Sequence, residues 1–214
     1  DECIAVSTTS DATGSYARYA FNLGTNLIDY PKFGVWPDGY YMALIIFNPS
    51  GTAYLGPQPF VFNRAAMLTG AAASFISPVG PLGASEAPFL PADFEGSILP
   101  TAGAPNPYVS FPFSGFYKVW AFHADFGTPI NSTFTNIANP AAAGFAQLCP
   151  GTRNCVPQLG TAQLLDGLGD RLMFRLAYRK FLDGHESVVG NHAVSSGGVA
   201  GIRWFELRAL TTGP

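Results

Sequence analysis

Charge is what this sequence has least of: 12% of its 214 residues are Asp, Glu, Lys or Arg, about half the usual share of a soluble chain. Its 11 Lys and Arg are dispersed and stand against 14 Asp and Glu, for a formal net charge of -3. Without a basic field to hold phosphates, nucleic acid is not an expected partner. Long apolar runs are missing too. The longest, such as Tyr40 to Phe47, are far shorter than the ~20 residues of a spanning helix, so no membrane insertion is expected. Asp1-Glu2-Cys3 does not open a basic segment followed by an apolar one, and a signal peptide is expected to have been removed from a secreted or extracellular protein. Neither a Gly-x-Gly-x-x-Gly nor a Walker pattern is present, and Ser114-Gly115 and Ser196-Gly197 lack the Gly-x-Ser-x-Gly frame of a nucleophile elbow.

Cysteine is scarce, with three in all. Cys149 and Cys155 enclose Pro150-Gly151-Thr152-Arg153-Asn154, whose turn formers bring the two thiols within bridging reach, so a disulfide is expected there. Cys3 is left over. No Cys-x-x-Cys or close His pair accompanies them, and no metal or other cofactor is expected. His185 and His192 are seven residues apart, which on a strand puts the imidazoles on opposite sides.

What is present in quantity is apolar and aromatic. A chain with 48% hydrophobic and 14% aromatic residues buries far more surface than a disordered one, and the 24 Gly and 18 Pro punctuate it into short segments. Strands are expected at Ile4 to Ser7, Tyr16 to Phe21, Lys32 to Trp36, Tyr40 to Phe47, Phe60 to Phe62, Phe116 to His123, Arg171 to Tyr178, Ser187 to Val194 and Gly201 to Leu207. Helical signals are few: a single turn over Ala65 to Gly70, and a short helix over Thr161 to Leu168 stopped by Gly167 and Gly169. Long Pro/Gly-rich connections are expected over 71–108 and 128–160, where proline blocks continuous sheet. The expectation is one all-β domain over 1–214.

An internal repeat sets the architecture. Asp38-Gly39-Tyr40 and Asp183-Gly184-His185 each follow a strand opened by an aspartate, Asp29-Tyr30-Pro31-Lys32-Phe33-Gly34-Val35 and Asp170-Arg171-Leu172-Met173-Phe174-Arg175-Leu176. Each then leads to a strand that ends in Arg-Ala, at Arg64-Ala65 and Arg208-Ala209. The copies span about 29–68 and 170–210, two antiparallel units each too small to bury both faces unless stacked on a neighbour. Between two strands, Ser7 to Tyr16 carries Asp11-x-Thr13-Gly14, and Asp125-Phe126-Gly127-Thr128 holds a comparable place before the second copy.

Ser7 to Tyr16 resembles a degenerate Asp-box hairpin, and Asp29-x-Pro31-x-Phe33-Gly34-Val35 with Asp38-Gly39-Tyr40-Tyr41 is similar to the blade-opening strands of sialidase-like β-propellers. The resemblance covers about two thirds of the chain and implies antiparallel four-stranded blades in a propeller-like arrangement. At about 40 to 60 residues a blade, such a ring outgrows this chain, so the expected propeller is incomplete or is completed by assembly. Relatives of that kind take an arginine triad from separate blades, whereas Arg171, Arg175 and Arg179 share one segment.

Two functions follow as expectations. The first is a secreted, non-catalytic propeller module that binds or self-assembles through open sheet edges in a structural or adhesive role. The alternative is a carbohydrate-active hydrolase with Asp29, Asp170 and Glu186 as catalytic carboxylates around an axial pocket. A glycan is one partner these residues allow, with Tyr30 and Trp36 as the candidates to stack on sugar rings. Arg171, Arg175 and Arg179 alternate with Leu172, Phe174, Leu176 and Tyr178. A strand would therefore set all three guanidinium groups on one face, facing a carboxylate or sulfate or else nearby Asp166, Asp170 and Asp183.

Overall fold

The computed structural model describes residues 1–210 of the chain. Strands β1 (Glu2–Ser7) and β2 (Tyr16–Phe21) form a hairpin, closed by a turn in which Asp11 Oδ1 accepts the Thr13 N–H at 2.9 Å. A meander follows: β3 (Leu27–Val35), β4 (Gly39–Phe47), β5 (Tyr54–Asn63), the short helix α1 (Arg64–Leu68) and β6 (Phe75–Ile76), in sheet order β3-β4-β5-β6. The Asn63 side chain caps α1 by accepting the Ala66 N–H, and Gly70 at φ +71° ends the turn in the left-handed region that glycine reaches freely.

A second meander runs through β7 (Phe89–Phe94), β8 (Asn106–Ser110), β9 (Lys118–His123) and β10 (Thr133–Ala138). After a small ribbon of β11 (Asn154–Val156) and β12 (Leu165–Asp166) comes a third, β13 (Leu172–Lys180), β14 (Glu186–Ser196) and β15 (Val199–Arg208). Both proposed repeat segments therefore lie on antiparallel meanders. Asp125, between β9 and β10, accepts the N–H groups of Gly127 and Thr128, as Asp11 accepts that of Thr13.

The chain is all-β. The expected succession of separate four-stranded blades is not its topology. β7 and β13 pair in parallel, Leu176 opposite Ala92, and join the second and third meanders into one seven-stranded sheet of order β10-β9-β8-β7-β13-β14-β15. The third meander contributes three strands. β3 lies against β7 without a ladder: a Cβ on Gly34 would stand 2.4 Å from the Ala92 carbonyl oxygen, so the two backbones meet only because residue 34 has no side chain. The first strands of all three meanders thus converge.

Packing follows the two-residue period of a strand. Along β4, Met42, Leu44 and Ile46 turn toward Phe21, Phe60, Phe62 and Met67, beneath the β1-β2 hairpin, while Tyr41 and Ala43 join the main core with Tyr108 and Phe122. Tyr108 is wholly buried, and its hydroxyl bonds the carbonyls of Met42 and Phe60 at 3.2 Å. Contacts such as Tyr117 with Phe205, ring centroids 4.3 Å apart, bring the second and third meanders together.

Three local expectations need correction. Thr161 to Leu168 is not helical; it contains β12, and Asp166 Oδ1 accepts the Leu168 N–H in a turn. The stretches 71–108 and 128–160 are not wholly loop, since they hold β6 to β8 and β10 to β11 with Pro91 and Pro107 inside strands. Proline is tolerated because a side chain replaces the ladder. Beside Pro107, the buried Asn106 carboxamide accepts the Ala92 N–H at 3.2 Å and donates to the Ala92 carbonyl at 2.8 Å.

Candidate functional site

β3 carries one extra residue between Asp29 and Lys32 relative to β4. Pro31 has no N–H to give the ladder, and the strand bulges there. Tyr30, next to it, adopts φ +56°, with its N–H held by Asp29 Oδ1 at 2.7 Å. The bulge sets the Tyr30 ring against two cations: Lys32 Nζ lies 3.8 Å and Arg171 Cζ 4.7 Å from its centroid. Arg171 is buried and gives Nε and Nη2 to the two carboxylate oxygens of Asp170 at 2.8 and 3.0 Å. That guanidinium holds Asp170 below the usual carboxylate range.

Arg153 reaches Asp166 at 2.7 Å and Asp170 at 3.4 Å. It sits in the loop closed by the Cys149–Cys155 disulfide, whose Cα atoms are 5.8 Å apart. This is the pairing expected from the sequence; it fits an extracellular protein, and Cys3 is a free, exposed thiol. The disulfide loop thus helps to fix the charged end of β13.

β13 bulges as well. The three residues between Met173 and Ala177 oppose one on β14, which breaks the expected alternation. Phe174 is 51% exposed and Arg171 is buried, so the three arginines do not share a face with the apolar set opposite. Arg175 pairs instead with Asp93 of β7 at 2.8 Å and with Glu95, just after that strand. Arg179 lies over the Phe181 ring.

Of the four expected ligand residues, the structure brings Tyr30 and Arg171 into contact from strands far apart in sequence. Trp36 is 2% exposed, packs on Tyr178 and donates its indole N–H to the Ala104 carbonyl. It is a core residue with no face for a sugar. Arg175 is committed to two carboxylates.

The three expected catalytic carboxylates do not assemble. Asp29 is exposed at the β3 bulge and Asp170 lies near it, through Tyr30 and Arg171. Glu186 is buried at the other end of the third meander, accepting the Tyr178 hydroxyl at 2.8 Å with the Lys180 ammonium 3.9 Å away. The β13/β14 ladder runs from Leu172 opposite His192 to Lys180 opposite Glu186, which at ~3.4 Å per residue separates Asp170 from Glu186 by about 20 Å. Glycosidase pairs stand within about 10 Å.

His185 bonds Asp183, and His192 is wholly buried against Phe111, Phe113 and Phe145. Among the described residues no group of His, Cys, Asp or Glu is placed to hold a metal ion, and no helix is long and apolar enough to cross a membrane.

Sequence reasoning missed Lys32, Phe174 and Asp93. Pro31 inside a strand pattern signals a bulge and so marks Lys32, but the two extra residues that expose Phe174 have no such signal. Asp93 is buried; its Oδ1 accepts the Val35 N–H at 2.8 Å while Oδ2 meets Arg175, tying β3, β7 and β13 together.

No family model matches the chain, and neither a curated protein nor a solved structure is similar to it.

Proposed function

We propose that this chain is a secreted, non-catalytic module of β-propeller type that acts by binding and by self-association. The separation of about 20 Å along the third meander between Asp170 and Glu186 carries the non-catalytic part, because a hydrolase needs its two carboxylates on one bond. Each of these two is also occupied, Asp170 by Arg171 and Glu186 by Tyr178. The convergence of β3, β7 and β13, the first strands of three successive antiparallel meanders, supports the propeller reading. The disulfide supports secretion.

Self-association is supported by β15, a ten-residue strand at the margin of its sheet. On it Ile202 and Trp204 are each 69% exposed, and Val189 of β14 lies on the same side as Ile202 and Trp204. Such a strand offers unpaired backbone groups and an apolar face to another chain. Release of reducing ends from a panel of glycans tests the non-catalytic part. No turnover is expected; turnover that Asp170→Asn abolishes with the fold intact would replace this reading with the hydrolase one.

A further inference from the structure

The third meander has three strands where the first and second have four. β6 pairs with β5 and β10 with β9, whereas no strand lies on the outer edge of β15 among the described residues. The backbone groups presented at that edge are set by the hairpin before it. Gly197 and Gly198, both at positive φ, form a two-residue turn, so Ser196 and Val199 close it as a bonded pair. The Ser195 N–H turns the other way, to the Ala146 carbonyl. Bonded and unbonded pairs alternate along an antiparallel ladder, and β15 keeps register with β14 over ten pairs. Ala200, Ile202, Trp204, Glu206 and Arg208 therefore aim their N–H and C=O groups at the open edge. The same five residues are exposed, Ile202 and Trp204 among them. β15 carries no proline, lysine or bulge, devices that commonly blunt an edge.

We propose that β15 pairs with β15 of a second copy of this chain, antiparallel about a two-fold axis at Trp204, so that the two seven-stranded sheets join edge to edge. The inference rests on the self-association reading above and supplies its partner strand and register. A two-fold axis normal to the sheet keeps each face on its own side, and residues opposed across an antiparallel pair share a face. The numbers of two opposed residues must therefore sum to an even number. In a strand of ten residues, Val199–Arg208, the longest overlap meeting that condition is nine, and two registers reach it: one with Arg203 on the axis and one with Trp204. The first sets Arg203 directly opposite Arg203 of the second copy, an unfavourable pair of like charges. The second sets every charged residue opposite an uncharged one, Arg203 facing Phe205 of the second copy, Glu206 facing Ile202 and Arg208 facing Ala200. It leaves the Glu206–Arg208 ion pair within each chain intact and gathers the exposed Trp204 and Ile202 side chains of both copies on one face.

Light scattering over a range of concentrations, with spin-label distances across the dimer, tests it on the whole chain. Ile202→Pro removes an outward N–H while leaving the β14 ladder its bonds, and Trp204→Lys sets two like charges on the axis. Each should weaken association about tenfold or more, and circular dichroism establishes that each variant is folded. Labels on Ala200→Cys or on Arg208→Cys, both in a Cys3→Ser background, should give the same backbone separation of about 27 Å, eight residues of strand in either case. An axis at Arg203 would instead give about 20 Å and 34 Å, and unequal separations would overturn the register. Association indifferent to both Ile202→Pro and Trp204→Lys would overturn pairing through β15 while leaving self-association through another surface. A wild type that keeps the mass of one chain at every concentration would overturn the pairing and the self-association reading together, and leave the edge to a strand of another polypeptide.

Discussion

Replacing Asp93 with alanine should loosen the junction of all three meanders. Its side chain is 9% exposed and bridges two strands besides its own: Oδ1 accepts the Val35 N–H from β3, and Oδ2 pairs with Arg175 of β13, each at 2.8 Å. A hydrogen bond to a charged group contributes about 1.5–3 kcal/mol, and a buried amide left without its acceptor costs about 1–3 kcal/mol, two overlapping effects. The Arg175 side chain is 48% exposed and keeps Glu95, so that pair adds at most about 1 kcal/mol. Together these give about 2–4 kcal/mol for Asp93→Ala. In a chain of this length that is roughly 5–15 °C in melting temperature. Asp93→Asn keeps an acceptor for Val35 and should cost about 1 kcal/mol, and a double-mutant cycle with Arg175→Ala should give a coupling below about 1 kcal/mol. Urea unfolding of Asp93→Ala, Asp93→Asn, Arg175→Ala and the double variant reads all of this. Alanine within about 0.5 kcal/mol of the wild type, or asparagine as damaging as alanine, would refute the reasoning.

Further outcomes follow from the same geometry. Asn106→Ala removes both partners of the Ala92 peptide groups beside Pro107 and should cost about 2–5 kcal/mol in urea unfolding. Asn106→Asp sets a second acceptor against the Ala92 carbonyl at a wholly buried position and should cost at least as much as alanine. Burial pushes the His192 imidazole below its usual value, with Arg203 adding to the effect; the unfolded chain therefore takes up the proton first, and stability should be full above about pH 6.5 and decline as pH falls. The urea midpoint at pH 5 should be lower than at pH 7.5, and His192→Leu should shrink that difference. Thiol titration of the unfolded chain should find one reactive cysteine before reduction and three after. Cys149→Ser with Cys155→Ser should cost about 2 kcal/mol on the chain-entropy account.

Much of the fold is legible in local pattern, and what is hidden depends on partners distant in the chain. The nine expected strands are all present because aromatic and β-branched runs between turn formers need only their own neighbours to be read. β7 and β8 are hidden because proline argues against a strand, and only the tertiary pairing of Asn106 with Ala92 shows how the argument is escaped. The helix expected at Thr161 to Leu168 rests on local pattern alone, and Leu164 and Leu165 find no core to enter and stay exposed. The disulfide is readable from its turn, being a contact across six residues. At the site, Tyr30 and Arg171 are each visible as residue types, while their meeting depends on two bulges. Trp36 shows the opposite error: an aromatic beside a turn looks available until Tyr178 and Ala104 are seen to enclose it. The carboxylates fail as a set for a geometric reason. Asp170 and Glu186 flank the same pair of strands at opposite ends, a distance that sequence spacing does not reveal.

Absolute mass in solution, by light scattering on a size-exclusion column over a range of concentrations, tests the account most directly. The exposed face at Val189, Ile202 and Trp204 leads us to expect a mass that rises with concentration above that of one chain, and a return to one chain for Trp204→Glu. A wild-type protein that keeps the mass of a single chain at every concentration would contradict it.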